Sequence, residues 1–290
     1  MIGGAMTGLA GAFGGDAAVK TALLDRLARH RLAGTLLWGA TRWDGDAGTA
    51  LGVSIAGTDP ATYAAAFGYP LALAALLDPL ADTGGAGFDP AAFVTDWVAV
   101  VRPGADLAPI PTLLMLDMLD DPDLRRLCPG EMAMLAALHR ADADGAPRPG
   151  VEWRAARAAI LAVDPGDDRE RRAALDVAEA LAWSGGAGRS TLTAMLGAMR
   201  HLRAQSRRPE WPQAEEDRAI AQLQALWTDA MPERERGQAI DYRARLTARD
   251  PGLAQAFFAN LDTTNDAVMQ VGRDLAARCI ERLRAAGRHG

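Results

Sequence analysis

The sequence predicts a mostly α-helical protein built from several helices, and three observations carry that expectation. Apolar residues recur at helical spacing through most of the chain. Four Asp-Pro dipeptides (59–60, 89–90, 121–122 and 250–251) stand before apolar-periodic segments. Aspartate accepts the first orphan amides of a helix, and proline loses nothing at its first position. The 290 residues are 49% hydrophobic and only 6% aromatic, which suits alanine-rich helices better than sheets.

The elements follow in order. The opening MIGGAMTGLAGAFGG has glycine at 3, 4, 8, 11, 14 and 15 and reads as a flexible arm over 1–15. No basic residue precedes its apolar positions, so it does not read as a signal peptide. Val19, Leu23, Leu24 and Leu27 mark a helix, with Arg26, Arg29 and Arg31 off the stripe and His30 facing its last carbonyls. The stretch 35–55, TLLWGATRWDGDAGTALGVSI, reads as a small β-hairpin turning at Asp44-Gly45. The run Leu71–Leu77 stops at Asp78, far short of a membrane span. Polar residues with two prolines and two glycines at 139–150 read as a linker. Ala173–Trp183 is a helix closed by Gly185-Gly186. Leu192, Met195, Leu196, Met199 and Leu202 form the cleanest stripe. Ile220, Leu223, Leu226 and Trp227 form another, and Val268, Val271, Leu275, Cys279 and Leu283 a last long one. The expected organisation is therefore an arm at 1–15, an acidic helical domain at 16–140 and a second helical domain at 148–290.

Charge divides at the same linker. Residues 1–150 carry ten basic and seventeen acidic side chains, and 151–290 carry twenty-one and twenty. An acidic front half is repelled by nucleic acid, and the Arg clusters behind (Arg169, Arg171, Arg172; Arg200, Arg203, Arg207, Arg208) are interleaved with acids. Lys20 is the one lysine among 31 basic residues, a skew that reads as the coding bias of a GC-rich bacterial genome. Two cysteines exclude a disulfide scaffold. The expectation is a soluble cytoplasmic protein, without membrane attachment and with nucleic acid at most a minor partner.

Motifs for chemistry are thin. Asp117/Asp121 and Asp164/Asp168 have i, i+4 spacing suited to a metal-held diphosphate, but Pro122 and Pro165-Gly166 break both helical faces. Ala182-Trp183-Ser184-Gly185-Gly186 mimics a serine-hydrolase elbow on what reads as a helix end. GGAGRST at 185–191 has Arg189 where a phosphate loop needs lysine. Cys128 and His139 make a nucleophile–base pair only if the fold unites them, and no two histidines have metal-ligand spacing. These readings imply no metal and no cofactor. The candidate ligand-binding residues are Trp38, Arg42, Trp43, Asp44 and Asp46, where an arginine and two carboxylates sit beside two indoles on a glycine-loosened turn. The plainer use of Asp44-Gly45 is to stabilise that turn.

Over residues 26–160 a longer pattern stands out: Leu37, Trp43-Asp44-Gly45, Gly48, Ala50, Gly52, Asp59, Tyr63, Gly68, Pro70-Leu71-Ala72-Leu73, Leu76 and Asp78. It continues with Pro103-Gly104-Ala105-Asp106-Leu107, Pro109, Leu116, Leu119, Asp121-Pro122 and Glu152-Trp153-Arg154 with Ala156-Arg157. This order distantly resembles a family of uncharacterised bacterial and phage proteins. The resemblance implies cysteines around Gly48–Gly52 and histidines before Tyr63; here Thr49, Val53 and Thr58-Asp59-Pro60 stand instead. It carries over no activity and no catalytic residue. The expected function is a non-enzymatic interaction or assembly subunit from a phage-like or mobile element, bound to a protein partner or to itself. The alternatives are a small-molecule site or enzyme at Trp38–Asp46, and nucleic-acid contact through the Arg-rich back half.

Overall fold

Aspartate-proline punctuation organises the chain as expected. In the computed structural model, residues 11–184, 188, 190–206, 208 and 210–286 are described. The described residues are folded into fifteen α-helices with no strand or sheet, so the protein is mostly α. In order these are α1 Ala17–Leu32, α2 Ala50–Ile55, α3 Pro60–Phe67, α4 Leu71–Ala81, α5 Pro90–Ala99, α6 Ile110–Leu119, α7 Pro122–Leu127 and α8 Pro129–Ala143. They continue with α9 Gly150–Leu161, α10 Arg169–Leu181, α11 Thr191–Gln205, α12 Gln213–Asp229, α13 Met231–Glu235, α14 Tyr242–Arg249 and α15 Pro251–Ala286. Asp59, Asp89 and Asp121 accept the first amides of α3, α5 and α7, each with proline directly after the cap. Asp250 does the same for α15 through the Leu253 amide at 3.1 Å. The expected cap at Gly185-Gly186, and Arg189 and Arg207, lie outside the described residues.

Two compact units divide the chain, Met1–Leu202 with Met269–Gly290 in one and Arg203–Val268 in the other. The division expected at 140–148 therefore falls inside the first unit. There α8, α9 and α10 pack on one another, and His139 of α8 binds the Leu181 carbonyl at the end of α10. The polar 144–149 connection is a loop within one core, because the apolar faces on both sides of it (Leu135, Trp153, Ile160, Leu175) are buried in a single cluster.

Helix α4 lies at the centre of the first unit, against α2, α3 and α5. Leu73, Leu76, Leu77 and Leu80 are all buried, as are Ala72, Ala74 and Ala81. It is apolar on nearly every side, the mark of a helix surrounded by protein. Among the described residues no single helix is long and apolar enough to cross a membrane.

The arm and the hairpin differ from expectation. Residues 1–10 lie outside the described residues, but 11–15 are docked. Ala12 exchanges backbone hydrogen bonds with Ala105 (2.9 Å) and Gly104 (2.7 Å). Phe13 is buried against Phe67 and Tyr69, with ring centroids 6.4 and 6.1 Å away. Glycine serves close approach here: a Cβ on Gly11, whose φ is +77°, meets the Gly104 carbonyl oxygen at 2.5 Å. At 35–55 there is no hairpin. Isolated bridges join Leu36 and Trp43 to Gly48, and the second arm instead forms α2. The residues Ala50, Leu51 and Val53 are buried together against α3 and α4, which a two-residue strand alternation does not allow.

The second unit contains α12, α13, α14 and the start of α15 around a small core of Leu226, Leu246 and Ala254. Polar ties reinforce it: Arg218 pairs with Asp250 at 2.9 Å, and Arg208 binds the Asn260 backbone and side-chain oxygens.

Close packing of α15 within the first unit is directly testable. A Cβ on Gly272 meets buried Thr83 Oγ1 at 2.3 Å and Arg200 Nη2 at 2.8 Å. Gly272→Ala is expected to lower stability by about 1–3 kcal/mol through overpacking. Exposed Gly197 in α11 has nothing within 4 Å, so Gly197→Ala is expected to raise stability by about 0.5–1 kcal/mol through helix propensity. Urea denaturation of both variants checks the opposite signs.

Candidate functional site

The 33–49 segment joins α1 to α2 and carries the five residues expected to form a pocket. Its path is set by backbone pairing: the Leu37 amide donates to the Gly48 carbonyl (2.8 Å) and the Gly48 amide to Thr35 (3.0 Å). The Thr49 amide donates to Arg42 (3.1 Å). This brings the Arg42 carbonyl so close to α2 that a Cβ on Gly52 meets it at 2.0 Å. The glycines at 48 and 52 are thus read from packing and not from a hairpin.

Within that path the five residues differ in burial. Trp38 and Trp43 are half-buried against the core, with Trp43 edge-on to His30 at 5.8 Å. His30 Nδ1 lies 2.9 Å from the Thr35 hydroxyl. Arg42, Asp44 and Asp46 are exposed. Asp44 closes its own turn, accepting from the amides of Ala47 (2.8 Å) and Asp46 (3.2 Å). Those bonds hold its carboxyl below the usual carboxylate range. The Arg42 side chain makes no hydrogen bond among the described residues, and its charge only adds to the stabilisation of ionised Asp44. The structure brings the two indoles to the core surface and turns the polar groups outward.

The polar centre lies beneath this segment, at Asp78 of α4. Its carboxylate is 2% exposed. Oδ2 accepts from the hydroxyls of Thr41 and Thr49, both at 2.7 Å, and Oδ1 accepts from the Leu51 amide at 3.0 Å. Thr49 precedes α2 but does not cap it with its side chain; Asp78 caps it from a different helix. Burial pushes the Asp78 carboxyl above its ordinary value, against the pull of these hydrogen bonds. A general acid or base must reach a substrate proton, and here every donor around the carboxylate belongs to the fold. Asp78 is a tie, not a reactive group. The sequence signal for it was present, an acid ending the most apolar run of the chain, but periodicity gives no partner for it.

Other chemistry-bearing residues are likewise committed. Cys128 bridges α7 and α8 and Cys279 lies in the core; both are fully buried. Burial pushes the Cys128 thiol up to about 11 and Cys279 higher still, so neither supplies thiolate at neutral pH. His139 is buried edge-on to Trp153 at 4.7 Å, donates from Nε2 to the Leu181 carbonyl (2.8 Å) and is held neutral by desolvation. Asp117 takes Arg282 by both carboxylate oxygens, Asp121 and Asp168 cap α7 and α10, and Asp164 closes a turn on the Gly166 amide. Among the described residues no three His, Cys, Asp or Glu side chains group as a metal site. Ser184 lies three residues past the end of α10, which is a helix and not the preceding strand of a nucleophile elbow. A cleft of about 640 Å³, which no sequence motif marks, opens elsewhere in the first unit between residues 102–113 and the end of α15.

Two substitutions separate these roles. Asp78→Asn preserves shape and hydrogen bonding because the threonine hydroxyls can reorient, whereas Asp78→Ala leaves buried donors unpaired and is expected to cost about 2–3 kcal/mol. The fold favours protonated Asp78, so its contribution to stability falls as pH rises from the ordinary 3.8 through the raised value and is flat above it. Urea titrations are therefore expected to show wild type gaining on Asp78→Asn as pH is lowered through that window. Arg42→Ala is expected to stay within about 0.5 kcal/mol of wild type, measured by thermal melting.

Comparison of this chain with protein-family models, with curated proteins and with solved structures found no match.

Proposed function

We propose that this protein is a non-enzymatic interaction or assembly subunit that binds protein through the α12–α13 face of its second unit. One observation carries the reading. Ile220 and Trp227 share a face of α12 at i, i+7 spacing and remain 41% and 49% exposed, Met231 at the start of α13 is 38% exposed, and Leu226 is buried. The small core of this unit covers only one side of a broad apolar stripe. Trp227 is also held in place: its ring stacks on Tyr242 at 5.9 Å, and Arg234 lies over it at 3.5 Å and donates to the Met231 sulfur at 3.4 Å. A large aromatic already fixed in one orientation loses little entropy on docking, which is why such residues serve as interface anchors.

The engagement of Asp78, His139, Cys128 and Cys279 in the fold favours binding over catalysis as the role of the exposed surface.

Native mass spectrometry and light scattering test the reading. A defined homo-oligomer, or a stoichiometric protein partner, is expected for wild type. Ile220→Glu is expected to abolish it while changing stability by no more than about 0.5 kcal/mol, as for other exposed positions. A strictly monomeric protein without a partner, or a complex that survives Ile220→Glu unchanged, overturns it.

A further inference from the structure

We infer that the partner on the α12–α13 face is a second copy of this chain, paired antiparallel about a two-fold axis. The inference rests on the proposed docking role of that face and adds what docks there and in which direction.

The charges along the stripe carry it. Glu216, Ile220, Leu223 and Trp227 stand at i, i+4, i+7 and i+11 of α12 and so share one face. Leu223 packs on the small core, while Ile220 and Trp227 are exposed. A carboxylate therefore closes the N-terminal end of the apolar stripe. Its neighbours are engaged: Glu215 pairs with Arg218 at 3.2 Å, and Asp217 accepts from Gln213 at 2.8 Å. The Glu216 side chain makes no hydrogen bond or ion pair among the described residues. A guanidinium closes the other end. Arg234 is folded back over Trp227, 3.5 Å from the ring, and donates to the Met231 sulfur at 3.4 Å. No carboxylate among the described residues pairs with it, and the adjacent Glu233 is taken by Arg245. The next two charges, Glu235 and Arg236, cancel in sign.

An acidic end, an apolar middle and a basic end make a surface complementary to itself. Turned about a two-fold axis between Ile220 and Trp227, each copy lays its Ile220 against the partner's Trp227. Glu216 then meets the partner's Arg234, and the symmetry forms the same pair a second time. Parallel pairing instead sets carboxylate on carboxylate and guanidinium on guanidinium, which repel. Ion pairs at the rim of an apolar contact fix direction and choice of partner more than affinity, so the sign pattern selects the antiparallel copy.

Sedimentation velocity of the purified full chain tests the inference. Wild type is expected to form a concentration-dependent dimer. Glu216→Arg and Arg234→Glu each turn two attractive contacts into two repulsive ones and are each expected to weaken the dimer at least about tenfold. Mixing these two variants restores opposite charges at both ends of a heterodimer and is expected to recover most of the lost affinity. Arg234→Glu also removes the cation above Trp227, so recovery in the mixture separates lost charge pairing from a folding defect. A chain carrying both reversals has opposite ends again and is expected to dimerise as the mixture does.

A wild type that stays monomeric up to roughly 100 µM overturns the inference. So does a dimer indifferent to both reversals, or affinity recovered neither by mixing nor by the double reversal. In each of these cases the docking reading still stands if Ile220→Glu abolishes a complex with another protein or with itself. A complex that survives Ile220→Glu overturns both.

Discussion

A carboxylate buried in the last turn of the highly apolar helix α4 has to be satisfied from all sides. Around Asp78 that requirement organises the front of the first unit. Two hydroxyls and a helix-terminal amide, all from residues 41–51, converge on it. An unpaired ion at such depth costs several kcal/mol. The 33–49 segment therefore has one place to lie, and α2 has its N-terminus fixed by a residue from α4. Just past the same end of the helix, Thr83 is buried against Gly272 of α15 and lies within 3.1 Å of Arg200 of α11. One helix thus supplies both the apolar centre and the polar fastenings of the unit.

Several of the acids, both cysteines and His139 serve the fold by ending a helix, closing a turn, pairing across helices or filling the core. Asp121 and Asp168 are caps, Asp117 fastens α15 to α6, and His139 joins α8 to the end of α10. Such uses share a physical cause. A chain of many short helices has many unsatisfied amide ends, and carboxylates are the strongest acceptors for them. The outward features include an apolar stripe on the second unit and a cleft lined by Arg102 and Arg282 in the first.

Local signals were legible where local energetics decide. Each Asp-Pro cap holds because its bond closes within two or three residues. Asp44 as a turn residue, Cys279 as core and the stripe of Leu192–Leu202 are of the same kind. Where the partner is distant in sequence, reading failed. The 35–55 stretch has the turn chemistry of a hairpin, yet burial of Ala50, Leu51 and Val53 beside α4 makes its second arm a helix. The glycines of 11–15 look like a flexible arm, yet they let the backbone approach Gly104 closely enough for Phe13 to enter an aromatic cluster.

By itself, then, the sequence determined the helical class, the starts of the helices and the composition of their faces, because propensity, capping and periodicity act within a few residues. Tertiary structure alone decided that Trp38 and Trp43 are half-buried while Arg42, Asp44 and Asp46 are exposed, that Asp78 is the buried polar centre, and that a cleft forms beside Arg282. It also decided that the stripe of Ile220, Leu223, Leu226 and Trp227 is only partly covered. Periodicity states which side chains share a face; how much of that face is buried depends on the neighbours that packing brings against it.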